Sequence, residues 1–168
     1  MIDMFGVDCV INVGVAGSLS GELQIGDVVV SSDAVQHDMD VTGFGYPRGV
    51  IPRMPASFFE SDRGLAGICS SLKISGYKIV SGRIASGDQF VSDAETKNRI
   101  RSEFGALCVE MEGAAIAQAA SLNSIPFLII RSISDNADGD ALVSFDQFVL
   151  AASQNSALLV KRLIEEIA

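Results

Sequence analysis

The stretch IPFLIIRSISDNADGD, residues 125–140, decides the fold. Its front half is a dense apolar run of strand length, far short of the ~18–20 residues of a membrane span. It reads as a buried strand. The strand runs without a helix into SDNADGD, a polar loop. On one side of it, residues 110–122 (EMEGAAIAQAASL) are Ala-rich and helical, with Asn123 as the expected C-terminal cap. On the other, Ser144-x-x-Gln147 has the spacing of a capping box and is expected to open a long final helix to Ile167, with Lys161 and Arg162 near its end. The order is therefore helix, buried strand, loop, helix.

The same alternation holds further out. CVINVGV at 9–15 and GDVVVSSDAV at 26–35 read as strands. Residues 42–57 hold three of the four prolines and three glycines and read as a loop, long enough for a functional or partner role. SDRGLAGICSSLKISG reads as a helix stopped by Gly76 and weakened by Gly64 and Gly67. KIVSGRIASGDQFV at 78–91 reads as strand, turn, strand, and Ser92-x-x-Glu95 as the cap of a polar helix to about Phe104. Strands alternating with helices give an α/β class with a largely parallel sheet, and the 168 residues are expected to form one domain over 1–168. MIDMFGVD at the front reads as the tail of a helix with Gly6 as its stop, which leads us to expect an upstream strand and crossover helix. A mean hydropathy of +0.36 fits patterning for a core larger than this chain supplies.

Composition narrows the function. Twelve Lys+Arg against 21 Asp+Glu leave a net charge of −9, which argues against nucleic acid or an anionic membrane as partner, since both select for basic clusters. The N-terminus carries no basic segment or cleavage site of a secretory signal. Cys9, Cys69 and Cys108 are odd in number, with no CxxC pair, and read as reduced thiols of a cytosolic protein. HDMD at 37–40 offers one imidazole at spacings of no metal loop, so no metal is expected. Neither GxGxxG, GxxxxGK[ST] nor GxSxG occurs, so no dinucleotide or P-loop nucleotide is expected, nor a serine nucleophile.

Ligands of parallel sheets gather at the carboxyl ends of strands, and four segments would meet there. Gly14-Val15-Ala16-Gly17 is either a tight turn or a set of backbone N–H groups facing a ligand. Phe90 in GDQFV is either core or a ring free to stack on a planar ligand. Glu110 and Glu112, two apart, either serve the dipole of the following helix or, on an extended segment, present a carboxylate to a diol. Asp135 is either a turn residue or a carboxylic acid kept protonated by burial, hence a general acid.

Taken in order, INVGVAGSL (11–19), GDVVVSSDAVQHDMDVTGFGYPRG (26–49), SGDQFV (86–91), VEMEGAAIAQ (109–118), RSISDNAD (131–138) and SFDQF (144–148) resemble the 5′-methylthioadenosine/S-adenosylhomocysteine nucleosidases of the nucleoside phosphorylase superfamily. The resemblance implies a three-layer α/β/α fold with a mixed, mostly parallel central sheet. It also implies hydrolysis of the N-glycosidic bond of both nucleosides, with release of adenine, no cofactor, and a homodimer. On these positions it implies Asp135 as the general acid, Ser134 as its orienting partner and Arg131 close to the attacking water. Glu112 would bind the ribose hydroxyls, Phe90 would stack on adenine, and the backbone of Val91 would read the purine edge. Met111 and Phe145 would wall the ribose and alkylthio pocket beside Val15, Ala16 and Gly17. Val15 stands where some members carry a serine. Phe44, Tyr46 and Pro52 lie in a loop that helps form the alkylthio pocket, partly across the dimer interface.

One departure stands out. In the family a glutamate in an earlier loop activates the water, and no segment of this chain matches that loop; Glu22 does not fit it. The resemblance thus implies an N-terminally truncated member, slower by the ~10²–10⁴-fold that loss of a general base costs. The alternatives are a nucleoside-binding or dimerisation module without turnover, and a phosphorylase or related hydrolase, against which Val15 and a single nearby arginine argue.

Overall fold

The computed structural model describes residues 2–73 and 75–167. Ile2–Phe5 form a single helical turn (α1), closed by Gly6 at φ +59, whose N–H donates to the carbonyl of Ile2. Then follow β1 (Val10–Ser18), β2 (Val28–Gln36), a 3-10 turn at Thr42–Phe44, β3 (Phe58–Glu60), α2 (Arg63–Ser71) and β4 (Ile79–Ser86). The chain continues with α3 (Ala94–Phe104), β5 (Cys108–Glu110), α4 (Gly113–Leu122), β6 (Phe127–Asp135) and α5 (Ala141–Ile167). None of these helices is long and apolar enough to cross a membrane.

The sheet is mixed and runs β3-β2-β4-β5-β1-β6, with β2 also pairing β6. β1–β6, β2–β4 and β4–β5 are parallel; β1–β5, β2–β3 and β2–β6 are antiparallel. The last pairing closes the sheet on itself, leaving only β3 outside the ring. The α/β class with a mixed sheet is thus as expected, while the closure is a feature that strand-by-strand reading does not carry.

β6 shows why its sequence lacks polar alternation: all nine residues are buried. Leu128 and Ile130 pack with Leu159 and Leu163 of α5 and Cys69 of α2. Phe127, Ile129 and Ile133, on the opposite side, pack with Ala114, Ala117 and Ala120 of α4. A strand covered on both faces must be apolar on both. The α4 alanines recur every third residue and present one small-residue face to the strands.

Several boundaries differ from the sequence expectation. The second helix stops at Ser71 rather than near Gly76. Gly82 makes no turn; β4 runs through it, because the side chain of Leu107 fills the place of a β-carbon. The cap of α3 is Asp93, not Ser92: its side chain accepts from the N–H of Thr96 at 2.8 Å. Helix α5 begins at Ala141, so Ser144 is inside it, its N–H bonded to the carbonyl of Asp140. The edge strand β3, three residues after a proline-rich loop, has too short a pattern to read.

Candidate active site

β1 and β5 cross antiparallel over only two pairs, Gly17–Val109 and Ser18–Cys108. The carboxyl ends of both therefore meet, beside that of β6, which runs parallel to β1. A pocket of about 310 Å³ opens there, lined by Gly14–Gly17, Phe90, Val109–Glu112, Ser134, Asp135 and Phe145. A small side recess adds Gln89 and Val91. Four sequence segments expected at strand ends thus share one cavity.

Asp135 is the chemical centre of its inner wall. It is 2% exposed. Its Oδ2 accepts from the hydroxyl of Ser134 at 2.9 Å and its Oδ1 from the N–H of Ala137 at 2.8 Å. Burial pushes its carboxyl above the ordinary 3.8, against the opposing pull of those two hydrogen bonds. Ala137 pays for its bond with a left-handed backbone (φ +49), costing an L-residue about 1–2 kcal/mol. The register between β1 and β6 also breaks here: Ala16 pairs with Ile133, but Gly17 pairs with Asp135. This bulge brings Asp135 level with Gly17; Gly14–Gly17 forms no turn but lies inside β1, each residue paired with β6.

Phe90 is 41% exposed, so its ring is not core; it meets Phe145 edge-on, centroids 5.8 Å apart. Phe145 sits one turn into α5. Met111 is similarly half-exposed, while Val91 is buried in the core under α3. The Glu112 side chain is 66% exposed, free to receive a polar ligand at the N-terminus of α4.

Arg131 does not line the pocket. Its guanidinium is 1% exposed and lies against Gly14, where a β-carbon would stand 3.4 Å from Cζ. Its Nε donates to Glu110 at 3.0 Å, and a terminal nitrogen donates to Glu110 and to Asn12. The sequence reading passed over this cluster. Glu110 also accepts from Ser86 Oγ and from the N–H of Gly113 at 2.8 Å, tying β4, β5, β6 and α4 together. A buried carboxylate at the end of a strand, two residues from Glu112, was the available signal.

Phe44, Tyr46 and Pro52 do not reach this pocket within the chain. Phe44 is 85% exposed and Tyr46 41%.

The chain matches the profile of the phosphorylase superfamily over residues 1–165. It is 44% identical to a 5′-methylthioadenosine/S-adenosylhomocysteine nucleosidase of Treponema pallidum, over all of this chain and 72% of that protein. A Geobacillus protein of the same name is 42% identical over 99% of this chain and 73% of its own. Among solved structures, a Helicobacter pylori nucleosidase variant with 5′-methylthioadenosine in its active site superposes with a TM-score of 0.94 at 41% identity, over 99% of this chain and 72% of that one. Futalosine hydrolase of the same organism reaches 0.93 at 41% identity, over 99% of this chain and 71% of the other. A cavity built by the glycine-bearing end of β1, the two-glutamate segment and a buried aspartate, together with these likenesses, leads to one assignment: the chain belongs to the 5′-methylthioadenosine/S-adenosylhomocysteine nucleosidase family of the phosphorylase superfamily.

Proposed function

We propose that this chain hydrolyses the N-glycosidic bond of 5′-methylthioadenosine and S-adenosylhomocysteine, releasing adenine. The observation that carries the reading is Asp135: a buried carboxyl, held on both oxygens and pushed toward its protonated form, on the wall of a pocket whose opposite members are Phe90 and Glu112. Phe90 supplies the face on which adenine stacks. Asp135 delivers a proton to the purine, so that the leaving group departs neutral. Glu112 accepts hydrogen bonds from the ribose hydroxyls, and its charge favours the cationic sugar as the bond breaks. Val15, Met111 and Phe145 form the apolar wall for the 5′-alkylthio group. Ser134 orients the acid, and the backbone beside Val91 faces the purine edge.

No lysine or arginine is among the described residues lining the pocket, which favours water over phosphate as the acceptor of the sugar. The test is adenine release from 5′-methylthioadenosine in phosphate-free buffer, beside Asp135→Asn. Release that depends on Asp135 is the expected result. A folded chain that releases none overturns hydrolysis, and release only on adding phosphate would make it a phosphorylase.

We further infer a cytosolic homodimer, with residues 1–168 as one folding unit. Support for the dimer is the exposed loop carrying Phe44 and Tyr46; neither they nor Pro52 are among the residues lining the pocket of their own chain. Support for one unit is that β6 contributes to the cores beneath both α4 and α5. Sedimentation at micromolar concentration checks the dimer, and a Phe44→Asp variant is expected to shift it toward monomer.

A further inference from the structure

Two carboxylates stand beside one guanidinium. The Glu110 side chain is 2% exposed, and both its oxygens are fully engaged. Oε1 accepts from Ser86 Oγ and from Gly113 N at 3.0 Å; Oε2 accepts from Glu112 N at 3.2 Å and from Arg131 Nε at 3.0 Å. A terminal nitrogen of Arg131 is shared between Glu110 and Asn12, and the other donates to the carbonyl of Ile130 at 3.2 Å. From Glu112 Oε2 the guanidinium is 3.7 Å away, an ion pair but not a hydrogen bond. A modest rotation of either side chain would close that gap.

We propose that Glu110 is a positioning residue: by saturating Arg131 it keeps the guanidinium, already within ion-pair range of Glu112, from closing onto it as a hydrogen-bonded pair, and so leaves the Glu112 carboxylate free for the cationic sugar. This inference rests on the nucleosidase reading for its functional meaning. Of the three charges, the buried pair cancels, and the one left facing the pocket is the negative charge of Glu112. Were Glu110 neutral, the buried guanidinium would be left without its counter-ion, an arrangement strongly disfavoured in a protein interior. Glu112 is the nearest replacement. It would then meet the ligand already neutralised, and the pocket would lose its preference for positive charge while keeping its stacking surface and apolar walls.

The experiment compares two ligands by calorimetry. One is a pyrrolidine analogue whose ring nitrogen, in place of the sugar's anomeric carbon, is protonated. The other is neutral 5′-methylthio-7-deazaadenosine. In Glu110→Gln the preference for the cationic ligand should fall by at least about 2-fold, the least that closing an ion pair from 3.7 Å to ~2.8 Å is worth in water. In Glu110→Gln with Arg131→Met, where no guanidinium remains to capture Glu112, it should return. An equal loss for both ligands in the single variant, or no recovery in the double, overturns the proposal and leaves Glu110 as scaffold. A crystal structure of Glu110→Gln decides the matter independently of ligand. The Arg131–Glu112 separation should shorten to hydrogen-bond range, and a separation still near 3.7 Å overturns it. If the wild-type chain binds neither ligand, the nucleosidase reading fails, and that crystal structure alone judges the inference.

Discussion

The backbone of Gly17 and the carboxylate of Asp135 are so close that a β-carbon on Gly17 would stand 2.7 Å from Oδ1 of Asp135 and 2.9 Å from the β-carbon of Ala137. The cause is the bulge that sets Gly17 opposite Asp135 across β1 and β6. The glycine near the end of β1 is thus the condition for the acid's placement.

Gly17→Ala is accordingly expected to destabilise the chain by about 1–3 kcal/mol, as overpacking of a filled site does. Its effect on adenine release should be larger, because a displaced Asp135 loses the bond from Ala137 and its aim. The measurement is urea unfolding alongside the rate. A variant with normal rate and normal midpoint would show that the loop yields without moving the acid.

The pH dependence of Asp135 has a definite sign. Burial raises its carboxyl above the 3.8 of a free side chain, so the folded chain holds this proton more tightly than the unfolded one. As pH rises past 3.8, the unfolded state releases the proton first, and the stability contributed by the protonated form is lost until the folded value is reached. Asp135→Asn keeps the acceptor for Ala137 and cannot ionise. It should therefore melt higher than wild type at pH 8 while releasing no adenine, and the wild-type rate should fall on the high-pH side as Asp135 loses its proton. A lower melting temperature at pH 8 would contradict the burial argument.

Phe90 and Phe145 carry little of the fold and much of the pocket. Phe90→Ala removes a half-exposed ring, so its cost to stability should stay below about 1 kcal/mol, while the loss of a buried stacking face on binding is worth about 1.5–3 kcal/mol. We expect KM to rise roughly 10- to 100-fold with a smaller change in kcat. A variant that unfolds instead would show Phe90 to be core.

Much of this was legible in the sequence because it is local. The apolar run of β6 is continuous since helices cover both its faces, and Asp135 stands at its end, whereas Gly14–Gly17, whose small residues suggested a turn, continues β1. What the sequence concealed is relational. Capping-box spacing pointed to Ser92 and Ser144, yet Asp93 captures the α3 cap and α5 starts three residues before Ser144, because the neighbouring backbone, not the motif, selects the cap. Gly82 sits in the middle of β4 because Leu107 needs the space of a β-carbon there. Arg131 is held by Glu110 and Asn12, which lie 21 and 119 residues from it in the chain. No local pattern links residues so far apart.

The last prediction concerns His37, the one histidine of the chain. It directly follows β2 and is fully buried, with neither ring nitrogen hydrogen-bonded among the described residues. Its Nε2 points at Gly87, the residue that leads into the Phe90 turn, and Asp38 lies alongside. Burial lowers its affinity for a proton below the ordinary 6.5; Arg99 adds to this, while Asp38, the imidazole's backbone contact and Glu110 oppose it. The unfolded chain therefore takes up this proton first as pH falls, and stability is lost on going below 6.5 toward the folded value. A single imidazole makes the test direct. Its proton resonance should titrate below pH 6.5 in the folded chain, and the fall in unfolding midpoint between pH 7.5 and 5.5 should shrink in His37→Gln. An imidazole titrating at or above 6.5 would mean that the ring reaches solvent or finds a partner that this structure does not contain.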